Sequence, residues 1–231
     1  MNAGGDLAVA TPATGDVPRK LRVATVITRL EGGAGQHALR GLQALDRRDF
    51  EPVIITGSAG RLASQAADSG IGLLVAPGLR EVIDPRSDLR AAQWLTALLG
   101  DLAADVVHTH CAKAGAIGRL AARNAGVARI VHTYHGFPFH EFQSPVRRAA
   151  YVLLERRLGR MTDVGLCVGT GVAVEAIRRR ILPAERVVTI GVPIDDIRPT
   201  PLAATPRSTS TRRSFESPRL AATNCAPRRR G

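Results

Sequence analysis

Two short polar stretches carry most of the side chains in this sequence that could do chemistry. His108 and His110, with Lys113 shortly after them, follow one apolar run, and His135 and Gly136 follow the next. Apolar runs of this length, set between helical patterns, indicate buried β-strands. Because open α/β sheets bind their ligands beyond the carboxyl ends of the strands, we expect these side chains to line one ligand site.

The residue types at these positions favour the binding of hydroxyl groups and phosphate. His135 is the best single candidate for the reacting position, because Gly136 leaves room for a ligand beside the imidazole. His110 ends the neighbouring strand. Lys113 and Gly115 begin the helix after that strand, a position that suits an anion, although a lysine there is as often only solvated.

A group of glycines forms a second candidate site nearer the start of the chain. Gly32, Gly33 and Gly35 lie between a β-branched apolar run and a helical pattern. Backbone amides at a helix start can hold an anion, and glycine lets a ligand approach the main chain closely. A tight turn without a ligand explains the same glycines, so the pattern alone is a weak signal.

The glycines also fit the G-x-G-x-x-A pattern of dinucleotide-binding sites, from Gly33 to Ala38. Two features argue against that interpretation. The second strand runs into Thr56 and Ser58, so the acidic residue that would bind a ribose is missing. In addition, residues 28–31 lengthen a turn that normally follows the strand immediately. We therefore expect no dinucleotide cofactor.

The histidines raise the question of a metal site. His108 and His110 are two residues apart on a strand and therefore share one face of the sheet. His132, His135 and His140 accompany the next strand. No carboxylate completes a ligand set with these histidines, so we expect them to hydrogen-bond hydroxyls, phosphate or backbone, and we expect no metal.

Charge and composition limit the other classes of function. The formal charge is +12, but eight arginines and one glutamate beyond residue 197 supply +7 of it, which leaves +5 for the rest. Aromatic residues make up 3% of the chain and offer no stacking platform for single-stranded nucleic acid. A nucleic-acid binder that uses the arginine-rich tail is an alternative that the charge leaves open.

The cysteines and the apolar segments indicate a cytoplasmic protein. Cys111, Cys167 and Cys225 lack CxxC spacing, and residues 1–20 lack the apolar core of a signal peptide. This usage of cysteine is typical of a reducing compartment. No stretch approaches the roughly 18 apolar residues of a membrane span, so any membrane contact would be peripheral.

Strand and helix patterns alternate through the central part of the chain. The predicted strands lie at residues 21–28, 52–56, 71–75, 105–109, 129–134, 164–168 and 186–190. The predicted helices lie at residues 36–45, 61–69, 89–103, 113–124, 145–161 and 172–180. The alternation predicts an α/β fold with a doubly wound, Rossmann-like parallel sheet. We assign it to residues 21–197, with a flexible leader at 1–20 and a disordered tail at 198–231.

Two of the predicted helices have an apolar stripe. In the helix at 89–103 the buried side is marked by Leu89, Leu95, Leu98, Leu99 and Leu102. In the helix at 145–161 the stripe is Tyr151, Leu154, Leu158 and Met161. Arginines, among them Arg147, Arg156 and Arg160, surround the second stripe. Such a helix usually packs on the core beneath a solvated arginine face, and it also fits peripheral contact with anionic lipid.

Three segments together resemble the N-terminal domain of the family 4 (group 1) glycosyltransferases, which have the GT-B fold. They are residues 22–30 with Gly32 and Gly33, residues 108–123, and residues 131–142. The resemblance implies that this chain is one Rossmann-like half of a GT-B fold. In that family the N-terminal half mainly receives the acceptor, and a second half grips the nucleotide-sugar donor.

The resemblance also implies a reaction and roles for single residues. Gly33 would lie near the donor phosphate and sugar, His135 would contact the reacting sugar or the acceptor, and His110 and Lys113 would line the cleft. The implied enzyme moves a hexose from a nucleotide-sugar to a carbohydrate or lipid-linked acceptor in polysaccharide biosynthesis. It does so with retention of configuration and without a metal. In the implied same-face displacement, the leaving phosphate helps to take the acceptor proton.

The chain departs from the family pattern in three places. Gly169 and Thr170 stand where relatives commonly have Ser-Glu, and residues 191–193 replace a Pro-Asn-Gly sequence. The family-like pattern ends near Arg198. We therefore expect the donor-binding C-terminal domain to be absent and this chain alone to transfer sugar poorly. A non-catalytic acceptor-binding module, or half of a split enzyme that partners a separate C-terminal half, are the alternatives.

Overall fold

The alternating strands and helices build a parallel sheet whose two faces are both covered. The computed structural model describes residues 19–191. Its strands are β1 (Leu21–Arg29), β2 (Phe50–Ser58), β3 (Gly72–Val75), β4 (Val106–His110), β5 (Arg129–Tyr134), β6 (Val164–Cys167) and β7 (Val187–Thr189). Its helices are α1 (Gly32–Gln43), α2 (Ala63–Asp68), α3 (Pro85–Asp101), α4 (Ala112–Asn124), α5 (Pro145–Gly159) and α6 (Thr170–Arg178).

The strand order within this part of the chain is β3-β2-β1-β4-β5-β6-β7, and every neighbouring pair is parallel. On one face, Val23 of β1 packs in a cluster with Leu39 of α1. On the other face, Val26 of β1 packs with Leu95 of α3. Both faces are therefore buried, which explains the continuous apolar runs of the strands. This arrangement confirms the predicted doubly wound, Rossmann-like α/β fold.

Helix α3 begins earlier than its apolar pattern predicted. It begins at Pro85 rather than at residue 89, and Asp84 caps it by accepting hydrogen bonds from backbone amides of the first turn. Leu89, which was expected to be buried, is 60% exposed. Leu95 and Leu99 are buried as predicted, and Ala91 is buried as well. Because Leu89 is two residues before Ala91, it lies about 200° away around the helix.

Helix α5 buries a different stripe from the predicted one. Leu158 is buried as expected, whereas Leu154 is 44% exposed. Val152 and Glu155 are buried as well. Glu155 faces inward, where it is paired with the buried Arg119 of α4.

Arg119 is a fully buried cation that joins α4, α5 and β5. Its Nη2 donates to Glu155 Oε2 at 3.0 Å, its Nε to the Gly115 carbonyl at 2.8 Å, and its Nη1 to the Tyr134 hydroxyl at 3.2 Å. The side chains of Arg119 and Glu155 are 0% and 4% exposed. A buried charge of this kind is tolerated only with a partner and further hydrogen bonds, and both are present here.

The described residues begin slightly before the predicted domain. Arg19, which falls in the predicted leader, donates from two guanidinium nitrogens to Asp105 at 2.8 and 2.6 Å. The rest of the leader, the last residues of the predicted domain and the predicted tail at 198–231 lie outside the described residues. Within residues 19–191 no helix is long and apolar enough to cross a lipid bilayer.

We predict that Arg119→Leu lowers the free energy of unfolding by about 3 to 5 kcal/mol, because it leaves the buried Glu155 carboxylate without its partner. The double variant with Glu155→Leu removes both charges and should be more stable than Arg119→Leu alone. Urea unfolding at pH 7.5 measures both effects. If the double variant lost as much stability as the two single variants together, the two side chains would not be coupled.

Candidate functional site

The candidate residues lie at the carboxyl edge of the sheet, where the direction of the strand order reverses. β1 has β2 on one side and β4 on the other. The helices that follow β1 and β4 pack on opposite faces of the sheet. Ligands of open α/β sheets bind in the crevice that such a reversal leaves between the two strand ends. α1 begins beside it at Gly32, and His110 is the last residue of β4.

The register of β4 and β5 brings His110 and His135 together. His110 lies opposite Thr133, and His135 is two residues further along the same face. His110 Nδ1 and His135 Nε2 are 3.1 Å apart, a hydrogen bond in which either nitrogen can be the donor. His108 Nε2 lies 2.7 Å from the Thr133 hydroxyl. The predicted neighbours His110 and His135 are thus in direct contact.

His37 joins these side chains, and sequence reasoning missed it. Its ring centroid lies 5.5 Å from that of His135 and 6.4 Å from that of His110. His37 is four residues after Gly33 in α1, so the two share one face of the helix. The spacing of four residues between Gly33 and His37 is the feature of the sequence that could have identified His37 as a site residue. We call His37, His108, His110 and His135 the histidine cluster.

Both ring nitrogens of His37 are buried and have no hydrogen-bond partner among the described residues. A neutral imidazole carries a proton on one nitrogen and a lone pair on the other. An unpartnered buried polar atom costs about 1 to 3 kcal/mol, so such atoms normally mark a place for a ligand or a water. His37 is therefore positioned to bond a group that enters the crevice beside His135.

Burial keeps the histidine cluster uncharged at neutral pH. Burial, followed by repulsion from positive charge on neighbouring histidines, lowers the pKa of His108 to about 4 and the pKa of His135 to about 4. The same causes hold the pKa of His110 well below its ordinary value, and burial lowers the pKa of His37. Neutral rings offer one donor and one acceptor each, which suits sugar hydroxyls.

The glycines open α1 rather than forming a separate loop before it. The predicted helix began at residue 36, whereas α1 begins at Gly32, whose φ of +63° favours glycine. Gly33 is exposed, and nothing lies within 4 Å of its Cβ position. Glu31, the N-cap residue, makes no side-chain cap and pairs with Arg29 instead. The first amides of α1 are therefore open to an acceptor such as a phosphate oxygen.

Two residues that were expected to bind ligand have other partners. Lys113 Nζ lies 2.7 Å from Asp88 Oδ1 and also donates to the Val82 carbonyl. The positive charge of Lys113 is therefore compensated by the Asp88 carboxylate of α3. Gly115 is buried, and a Cβ there would lie 2.4 Å from His132 Cε1. In the structure Lys113 and Gly115 help to join α4 to its neighbours, and their roles in ligand binding stay predictions.

The remaining predicted position, Gly136, follows His135 and leaves open space beside it. Gly136 is exposed, and nothing lies within 4 Å of its Cβ position. In the part of the chain that the structure describes, no group of three or more His, Cys, Asp or Glu side chains is placed to hold a metal ion. The chemistry that the site offers is hydrogen bonding by helix amides and by neutral imidazoles.

An open parallel α/β sheet with free helix amides at its switch point belongs to the class of Rossmann-like domains, which commonly bind nucleotide-containing ligands at that point. Residues 31–198 of this chain match the family model for glycosyltransferase family 4. The chain belongs to that family, and the resemblance stated from the sequence is confirmed.

Relatives of known activity and structure agree with this assignment. An Escherichia coli UDP-Gal:α-D-GlcNAc-diphosphoundecaprenol α-1,3-galactosyltransferase is 32% identical over 150 residues, which cover 64% of this chain and 38% of the relative. HepE from Anabaena, solved with UDP-glucose, has a TM-score of 0.60 and 15% identity over 76% of this chain and 44% of its own.

A UDP-N-acetylglucosamine 2-epimerase has a TM-score of 0.57 and 17% identity over 75% of this chain and 49% of its own. At such identities the solved structures establish the fold alone, which transferases and epimerases share. The chain spans less than half the length of each of these relatives.

We predict that the free energy of unfolding falls as the pH is lowered from 6.5 toward 4. The unfolded chain takes up protons on its histidines near pH 6.5, while folded His108 and His135 resist protonation down to about pH 4. The unfolded state therefore binds more protons in this window, and stability present above pH 6.5 is lost below it. The expected loss is on the order of 1 kcal/mol per pH unit for each histidine.

Urea unfolding between pH 7.5 and pH 5 measures this dependence. His108→Gln keeps a nitrogen near the Thr133 hydroxyl and should reduce the dependence. His140→Gln replaces an exposed histidine and should leave it unchanged. Equal pH dependence in the two variants would contradict the assignment of this effect to the buried rings.

Proposed function

We propose that this chain acts in hexosyl transfer from a nucleotide-sugar to a carbohydrate or lipid-linked acceptor, in polysaccharide biosynthesis. The observation that carries the proposal is that α1 approaches His110 and His135 through His37 at the sheet's switch point. Family membership supports the reaction class. The galactosyltransferase relative, by its name, uses UDP-galactose and a diphosphoundecaprenol-linked acceptor, and we propose the same classes of donor and acceptor here.

In this proposal the described domain binds the donor and the acceptor, and it supplies no group that removes the acceptor proton. The amides of Gly32 and Gly33 approach the donor phosphate, and His135 bonds an oxygen of the sugar or acceptor beside the open space at Gly136. The acceptor oxygen bonds to the anomeric carbon as the bond from that carbon to the phosphate breaks, and the leaving phosphate takes the acceptor proton. We propose retention of configuration, no metal and no cofactor.

We further propose that transfer requires a donor-binding domain in addition to the described one, as the resemblance implies. Orientation between two walls of a cleft is worth about 7 to 11 kcal/mol of barrier. Transfer catalysed by the described domain alone would contradict this point. The non-catalytic alternative is an acceptor-binding module, and it predicts acceptor binding that no added protein converts into transfer.

Gly33→Ala should weaken the binding of UDP-galactose about tenfold or more, because a methyl group at this exposed position blocks the approach of phosphate to the α1 amides. Gly41→Ala is the matched control, since Gly41 is an exposed glycine of the same helix with nothing within 4 Å of its Cβ position. Isothermal titration of the full chain measures both. Equal affinities for the two variants would refute the placement of phosphate at Gly33.

We also propose a cytoplasmic location with peripheral membrane contact through α5. Val146 and Leu153 of this helix are 81% and 60% exposed, and Arg157 and Arg160 continue the same face. A groove of about 390 Å³ beside α5 is lined mainly by arginines, namely Arg156, Arg160, Arg180 and Arg186. Exposed apolar side chains among arginines favour an anionic lipid surface.

Arg157→Glu/Arg160→Glu should lower binding to vesicles of phosphatidylglycerol and phosphatidylcholine by about tenfold or more, at about 1 kcal/mol per basic residue lost. Arg48→Glu/Arg61→Glu makes the same charge change at exposed positions beside α1 and α2, on the opposite face of the sheet. Co-sedimentation measures both. The membrane proposal fails if the two double variants bind alike.

A further inference from the structure

The hydrogen bond between His110 and His135 has a direction, and the direction decides what His135 offers to a ligand. Both rings are neutral at neutral pH because burial lowers their pKa values. Each ring therefore carries one N–H and one bare nitrogen. In the 3.1 Å contact between His110 Nδ1 and His135 Nε2, one nitrogen donates and the other accepts.

The second nitrogen of His110 distinguishes the two directions. His110 Nε2 is buried and has no hydrogen-bond partner among the described residues. If His135 were the donor, His110 Nδ1 would accept and the proton of His110 would lie on Nε2, as a buried N–H without an acceptor. If His110 is the donor, Nε2 is only a bare lone pair. Buried backbone N–H groups without an acceptor are rarer than buried carbonyls that lack a donor, and the same preference, applied to the His110 ring, favours the direction in which His110 donates.

We propose that His110 donates through Nδ1 to His135 Nε2 and so holds His135 in the tautomer that carries its proton on Nδ1. His135 Nδ1 has no partner among the described residues, and it is not one of their buried orphan atoms. It is therefore accessible to a ligand at least in part. His135 meets a ligand as a hydrogen-bond donor to an oxygen atom, and His110 is the positioning residue that sets this role.

The inference excludes one role for His135. A general base needs a free lone pair directed at the proton it removes. The lone pair of His135 lies on Nε2 and is taken by His110, so the nitrogen that faces the crevice cannot accept a proton without a change of tautomer. The donor role of His135 rests on the proposed function only for the identity of the oxygen that His135 binds, which is a sugar hydroxyl or a phosphate oxygen.

Nitrogen NMR of the full chain, labelled with ¹⁵N-histidine and free of ligand at pH 7.5, tests the tautomer directly. Long-range proton–nitrogen correlations show which nitrogen of each ring bears hydrogen, and His135→Gln and His110→Asn assign the two rings. We expect hydrogen on Nδ1 of both His110 and His135. Hydrogen on His135 Nε2, a doubly protonated ring, or averaging between two tautomers would each overturn the proposal.

Two substitutions separate positioning from packing. His110→Asn keeps an N–H donor close to the place of Nδ1 and should preserve the Nδ1–H form of His135. His110→Leu removes the donor and should let a proton populate Nε2. If His135 kept its proton on Nδ1 alone in His110→Leu, the positioning role of His110 would be overturned. If this variant does not fold, the spectrum of the unsubstituted chain still tests the tautomer. A separate titration with UDP-galactose tests the proposed function. If the nucleotide-sugar binds and the His135 resonances do not shift, the result counts against the proposed function and not against the tautomer.

Discussion

The in-register parallel pairing of β4 with β5 decides which side chains meet at the carboxyl edge of the sheet. His110 lies opposite Thr133, and for that reason His135 comes within hydrogen-bond distance of His110. A slip of one residue would turn the side chains of one strand to the other face and separate the pair. On the opposite face the same register places Thr109 beside His132, with a bond of 2.8 Å between the hydroxyl and Nδ1.

Close packing by α4 supports this register from the other side of the sheet. The ring of His132 occupies the space that a side chain at Gly115 would need. A Cβ at Gly118 would likewise lie 2.7 Å from Thr109 Cγ2. Two glycines one helical turn apart thus let α4 lie close against β4 and β5, and Arg119 then fixes α5 to the same helix. The site depends on this layer although none of these residues reaches the crevice.

The sequence predicts the sheet well, and it predicts that the candidate residues lie at one edge of that sheet, because both follow from local patterns. Each β-branched or apolar run became a strand within about two residues at most ends, and the strand ends define the ligand edge. Helix starts were less well predicted. Glycine is a poor helix former, so the first turn of α1 at Gly32 looked like a loop, and the cap at Asp84 was overlooked.

The contacts that the sequence did not predict join residues that lie far apart along the chain. Lys113 pairs with Asp88 of another helix, and Arg119 draws Glu155 into the core. No local pattern specifies either partner. His37 was overlooked because a single histidine in an amphipathic helix is usually a surface or core residue, and only the packing of α1 against the β5 end shows its neighbours. The binding roles of Gly33, His110 and His135 themselves stay predictions.

The most direct test of the account is a crystal structure of this chain with UDP-galactose. The account predicts that an oxygen of the galactose or diphosphate lies within hydrogen-bond distance of His135 Nδ1 and that phosphate lies against the amide of Gly33. UDP-galactose bound in the arginine-lined groove at Arg160 and Arg186, with the histidine cluster untouched, would contradict it.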